Sequence, residues 1–257
     1  MMKNKTCYLL IPSLIIYLSI SSCNQIKKDY SLKTEDYIKL GMPDHSKKWT
    51  GDDYSEANIT LSTLQMEAPL SLPRKNSRKS GEMFNRIVNE ENISFVYDTA
   101  IPLKVRAFLI QHYPRIIGEV ENIYSFEEKG KPVYKEELLD IKIFELTIHD
   151  KMLELAKIIN ESDDETLAGF KDGMKMVQYN YLKLIPRLMT ELVKTDQYSE
   201  DDRIRLSKAL TGSIMNSSYW LSASDKNTLK SGLTASSENC KSTIIKNNLM
   251  ECSEALN

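Results

Sequence analysis

Three side chains near the middle of the chain have the types and spacing that metal-assisted hydrolysis uses. Glu145 and His149 stand four residues apart and Asp150 follows directly. Residues four apart share one face of a helix, so this pair could offer two ligands to a divalent ion, with Asp150 beside it. One such pair does not complete a centre. Catalytic zinc takes three protein ligands and di-iron bundles repeat Glu-x-x-His on two helices, whereas the other histidines are His45 and His112, far away in sequence. A solvated helix face or a satisfied interior histidine is the simpler expectation.

Nucleophile patterns are equally thin. Gly-x-Ser-x-Gly is absent, and the candidates for a Ser-x-x-Lys run fail: Ser77-Arg78-Lys79 and Ser224-Asp225-Lys226 have the wrong spacing, and Ser71-Leu72-Pro73-Arg74 ends in an arginine that cannot act as a base. Asp163, Asp164 and Glu165 look like metal ligands but fit the start of a helix, where acids oppose the positive end of the dipole. The sequence therefore predicts no catalytic residue, no metal and no cofactor. A metal-dependent envelope hydrolase built on Glu145, His149 and Asp150 is the competing reading.

The most specific signal lies at the beginning. Lys3 and Lys5 precede an apolar stretch from Tyr8 to Ile20, which is interrupted by Pro12 and followed by Ser21, Ser22 and Cys23. That layout is a secretory signal, and the stretch is shorter than the roughly 20 apolar residues a membrane-spanning helix needs. Ile20-Ser21-Ser22-Cys23 resembles the lipobox of bacterial lipoproteins. The resemblance implies removal of residues 1–22, a diacylglyceryl group on the Cys23 thiol and acylation of its amine. Two or more acyl chains give lasting attachment, at about 0.8 kcal/mol per buried methylene. Asn24 stands where an aspartate would resemble the inner-membrane retention signal, so the outer membrane is expected. Lys27-Lys28-Asp29 supplies only one acid of a surface-export signal, which leaves the periplasmic and outer faces both open.

Removal of the signal takes away two lysines and no acids, moving the formal charge from −2 to −4. That balance excludes a nucleic-acid footprint. Cys240 and Cys252 remain as one conceivable disulfide pair. On one straight helix they would lie about 18 Å apart, so a bond would need a turn between them, at Asn247-Asn248; the apolar spacing of Ile245, Leu249, Cys252 and Leu256 favours instead an unbonded final helix.

These residues must be positioned by helices. Residues 23–48 show little apolar periodicity and read as a lipidated flexible tether, a coil that would hold the body about 25–30 Å from the lipid. Residues 49–257 read as the helical domain. Thr50 or Asp52 caps a helix with Tyr54, Ala57, Leu61 and Leu64 on one stripe, and Met83, Phe84, Ile87 and Val88 mark a short one. Ile93–Tyr97 reads as a brief extended piece. Long amphipathic segments follow: 102–124, kinked at Pro114; 133–160; one carrying Leu167, Val177, Tyr181, Leu184, Leu188 and Leu192, kinked at Pro186; and one behind Ser199. Ser224-Asp225 starts a shorter helix that Ser236-Ser237 separates from the last. The fold expected is all-α, a kinked multi-helix antiparallel bundle.

Between the first two helices of the domain, residues 69–80 carry two prolines and no helical period and read as an exposed basic loop. Arg74, Lys75, Arg78 and Lys79 are its candidate binding residues, for anionic headgroups or an acidic partner. Tyr198 and Tyr219 need not face the core and suit a protein interface. The stretches Leu40-Gly41-Met42-Pro43, Ser46-Lys47-Lys48-Trp49 and 69–77 resemble a group of uncharacterised helical lipoproteins of Gram-negative bacteria, a resemblance that implies no activity. The expected function is a lipid-anchored, non-enzymatic binding protein of the cell envelope. It would meet the membrane through Cys23 and dock a protein partner, with an immunity-type lipoprotein as one form.

Overall fold

The computed structural model describes residues 29–257; the signal segment and Cys23 lie outside the described residues. The expected tether does not extend as far as Lys48. Asp29 accepts hydrogen bonds from the Ser31 backbone N–H (3.0 Å) and the Ser77 hydroxyl (2.6 Å). A short helix α1 (Thr34–Lys39) follows and ends at Gly41, whose φ of +105° is left-handed. Tyr37, Met42 and Trp49 are fully sequestered in the core. Three large apolar side chains in a short polar stretch give no period, yet their burial outweighs the solubility of the charges between them.

Helix α2 (Gly51–Glu67) begins with a capping box: the Thr50 hydroxyl accepts from the Asp53 N–H, and the Asp53 carboxylate accepts from the Thr50 N–H. Such a cap is worth about 1 kcal/mol. Its expected stripe of Tyr54, Ala57, Leu61 and Leu64 is buried. Helix α3 (Gly81–Ile87) turns Met83, Phe84 and Ile87 inward. The extended piece expected next is a 3-10 helix, Glu90–Tyr97, opened by the Asn89 side chain accepting from the Glu91 N–H. Asn92, Ile93 and Val96 are buried there. Ile93 and Val96 stand three apart, the 3-10 period, whereas a strand would have paired Ile93 with Phe95.

Pro114 produces a break rather than a kink. Helix α4 (Leu103–Ile110) stops before it and α5 (Tyr113–Tyr124) starts with it in the first turn, where its missing N–H costs nothing. A two-residue hairpin follows, β1 (Glu127–Glu128) with β2 (Lys131–Pro132), joined through Lys129 and Gly130, both at positive φ.

Helix α6 (Lys135–Glu161) is the axis of the bundle and packs against α4, α5, α7 (Ala168–Leu192) and α8 (Glu200–Ser217). The expected stripe of Leu138, Ile141, Ile148, Met152, Leu155 and Ile159 is buried, and so are Leu139, Phe144, Leu146 and Leu153, which cover its other sides. A helix apolar on most faces must be enclosed by neighbours. Helix α7 runs through Pro186 without interruption. The Ser199 hydroxyl accepts from the Asp202 N–H to start α8. Helix α9 (Ala223–Asn239) starts from a Ser222–Asp225 capping box and continues through Ser236-Ser237; the break falls after it, before α10 (Thr243–Ala255). Cys240 and Cys252 are free thiols, and Ile245, Leu249 and Cys252 form the buried face of α10. The chain is thus an all-α antiparallel bundle. Among the described residues, no helix is long and apolar enough to cross a membrane.

Candidate functional site

Glu145, His149 and Asp150 are not brought together. The Glu145 carboxylate turns to the Arg187 guanidinium on α7. The His149 ring is buried with Nδ1 2.9 Å from the Glu145 carbonyl oxygen, and burial lowers its pKa. Asp150 turns to α8, accepting from the Ser213 hydroxyl at 2.5 Å; Ser213 in turn meets the Tyr181 hydroxyl at 2.9 Å. Burial pushes the Asp150 carboxyl up to about 7 despite the Ser213 hydrogen bond and the Lys151 charge. Among the described residues, no group of three His, Cys, Asp or Glu side chains could hold a metal ion. Asp164 is a cap, its carboxylate accepting from the Thr166 N–H.

Glu145 and Arg187 belong instead to a charge network joining α5, α6 and α7. Lys142 lies 3.1 Å from Glu191 and 3.3 Å from Glu121, Arg187 reaches Glu121 at 3.4 Å, and Lys194 meets Glu191 at 3.1 Å. Burial favours the neutral acid at Glu191, but the two lysines win and its pKa falls. Burial raises that of Glu145 despite Arg187. Tyr198, expected outside, is 5 % exposed and packs over this network. Tyr219 is exposed.

The basic loop is not a free arm. Three buried tyrosines clamp its backbone: Tyr37 donates to the Ser71 carbonyl, Tyr124 to Pro73 (3.0 Å) and Tyr134 to Pro69 (2.6 Å), while the Leu72 N–H donates to the Tyr134 hydroxyl. Arg74 stacks over the Tyr134 ring at 4.4 Å, and Lys75 pairs with Asp140 at 2.5 Å. Both cations are engaged inside the fold. Arg78 and Lys79 are exposed and line a shallow cleft with Lys33 and Asn85.

The feature with the geometry of a binding site is a groove of about 1050 Å³ that the candidate residues missed. Its floor is Trp49, Phe95 and Tyr113, and its wall is Ile101, Phe108 and Leu109, with Tyr97 at the edge. Trp49 is 2 % exposed, whereas Tyr97 and Phe108 are each 55 % exposed. Lys48, Asp52, Asp98 and Arg115 surround this apolar interior. An aromatic floor with a charged rim is the usual composition of a binding pocket.

The floor is held rigid from below. The buried Asn92 carbonyl accepts from the Trp49 N–H (2.8 Å), and its amide donates to the Tyr54 hydroxyl (2.9 Å) and the Arg86 carbonyl (2.7 Å). Tyr113 donates back to the Asn92 backbone carbonyl at 3.2 Å. Trp49 meets Tyr54 edge-on at 5.4 Å, Tyr54 meets Tyr113 at 5.7 Å, and Phe95 meets Tyr113 at 5.6 Å. On the wall the His112 ring stands edge-on to Phe108 at 4.9 Å. One sequence signal pointed here: Phe108 and Leu109 are apolar residues left over beside the inward stripe of Leu103, Ala107 and Ile110.

The chain matches no protein-family model, no curated protein and no solved structure.

Proposed function

We propose that this is a lipid-anchored, non-enzymatic binding protein of the cell envelope, held in the outer membrane through acylated Cys23 and docking a protein partner in the groove between Trp49 and Phe108. The observation that carries the binding reading is the pairing of a rigid buried floor with exposed aromatic walls. Asn92 fixes Trp49, Tyr54 and Tyr113 in place, so a partner side chain entering the groove meets a surface already ordered and the entropic cost of docking is small. Tyr97 and Phe108 expose ring area, and aromatic residues are the type enriched at interface centres. The separate commitments of Glu145, His149 and Asp150 to Arg187, an α6 carbonyl and Ser213 leave the hydrolase reading without a shared centre.

The test is capture from detergent-solubilised membranes with the full-length protein, its Phe108→Ala/Leu109→Ala variant and a surface control, Ile59→Ala. A partner retained by the wild type and the control and lost from the groove variant supports this reading. Capture of nothing above background by the wild type counts against it.

A further inference from the structure

The place where the chain leaves the described body is fixed. Asp29 is held by Ser31 and Ser77, its carbonyl accepts from the Lys79 ammonium at 3.1 Å, and Thr34 donates through both its N–H and its hydroxyl to the Lys79 carbonyl. Only residues 24–28 separate Asp29 from Cys23. Fully extended, that connection reaches about 20 Å. A lipid-held Cys23 therefore keeps this end of the body close to the membrane.

The charges at this end differ in sign from the whole. Lys33, Arg78 and Lys79 are exposed on one cleft, with Glu35 and Glu82 opposing them, and Lys27 and Lys28 lie in the connection itself. Counting Asp29 as well, the three cations of the cleft are matched by three acids among the described residues, and the positive excess at this end of a mature chain of formal charge −4 comes from Lys27 and Lys28, which the sequence places between Cys23 and Asp29. Anionic headgroups attract such a cluster. Anchoring makes the encounter intramolecular, so a weak preference is enough to choose which side faces the lipid.

The groove wall lies at the other end of the axis. Asn76 of the basic loop bonds Glu136 in the first turn of α6, and Tyr97 bonds Glu154, eighteen residues further along the same helix. That is about 27 Å of helix. We infer that the Lys33–Arg78–Lys79 face rests on the anionic headgroups of the membrane that holds Cys23, so that the body stands on this end and presents the Tyr97–Phe108 wall away from the lipid. The inference rests on the reading of Cys23 as acylated.

The experiment uses the membrane-purified mature protein in a Cys240→Ser background, with a fluorescent probe at Asn85→Cys or at Phe108→Cys. It is reconstituted into vesicles of phosphatidylcholine alone or mixed equally with phosphatidylglycerol, each doped with a headgroup-labelled quenching lipid. Quenching several-fold stronger at position 85 than at 108 is expected in the anionic vesicles. It should fall on neutral vesicles, fall partway with Lys33→Gln/Arg78→Gln and fall further with Lys33→Glu/Arg78→Glu. Equal quenching at the two positions, or indifference to charge in both protein and lipid, overturns the orientation while leaving the anchor intact. An intact mass without acyl chains overturns the anchor and the orientation together. If charge reversal releases a co-purifying protein and leaves quenching unchanged, the face belongs to a protein and the inference fails.

Discussion

Asp29 and Ser77, forty-eight residues apart in sequence, are joined by a hydrogen bond of 2.6 Å, and that contact turns a presumed tether into part of the body. Ser77→Ala removes the donor and leaves the Asp29 carboxylate to Ser31 alone. Local rather than global loosening should follow. Hydrogen exchange at Leu32 and Thr34 should quicken several-fold while the unfolding midpoint moves by less than about 1 kcal/mol. Unchanged exchange at both amides would mean that the segment is secured by Tyr37 and Met42 without this latch.

Asn92 should be the costliest single residue beneath the groove. Asn92→Ala leaves the buried Trp49 N–H without its acceptor and removes the donor to Tyr54 and Arg86. An unsatisfied buried amide costs about 1–3 kcal/mol, so a loss of about 2–4 kcal/mol is expected from urea denaturation, accompanied by a shift in tryptophan fluorescence. A loss below 1 kcal/mol would show that the floor does not depend on this side chain.

The Asp150 carboxyl should make the fold less stable as pH rises. Its pKa is about 7 in the folded protein against an ordinary 3.8, so the native state holds a proton that the unfolded chain has released between those values. Stability from this group is complete below about pH 4 and is lost as pH climbs through 7, by about 4 kcal/mol at most. Buried His149 acts in the opposite sense: its lowered pKa penalises the fold as pH falls below the unfolded value near 6.5. Lys151 and Glu154 are the other charges acting on Asp150. Asp150→Asn isolates the one term, since its amide oxygen can still accept from Ser213. The variant should gain on the wild type steadily between pH 4 and 8 in thermal melts. A difference independent of pH would contradict the assignment.

Lys142 sits between two carboxylates, and its removal should expose the cost of burying them. Lys142→Met leaves Glu121 with only the Arg187 contact at 3.4 Å and Glu191 with only Lys194. Breaking a buried pair costs about 3–5 kcal/mol, and the surviving Lys194 contact places the expected loss near the lower figure. Adding Glu191→Gln should recover part of it, a coupling read from a double-mutant cycle. Strict additivity of the two changes would show that they do not interact.

Long elements were legible because their signals are local. The Thr50 cap, the apolar register of α6 and the Ile245–Leu249–Cys252 face can each be read within one segment, and the structure places them there. What stayed hidden depends on partners distant in sequence. The 69–80 loop reads as exposed because Tyr37, Tyr124 and Tyr134, which clamp it, come from three other segments. The groove draws Trp49, Phe95, Phe108 and Tyr113 from four segments, and the single local trace of it is the apolar Phe108–Leu109 pair left over beside the inward stripe of its helix. The Glu145–His149 spacing was real on the helix. It misled because charge on α7 and a hydroxyl on α8 claim the neighbouring carboxylates.

Photo-crosslinking in living cells tests the central reading most directly. A photoreactive side chain is placed at Phe108 on the groove wall or at Asn85 on the basic face of the full-length protein, and the irradiated envelope is probed for adducts. A discrete protein adduct from position 108, absent from position 85, is the predicted result. No adduct from 108, or the same adduct from both positions, would contradict it.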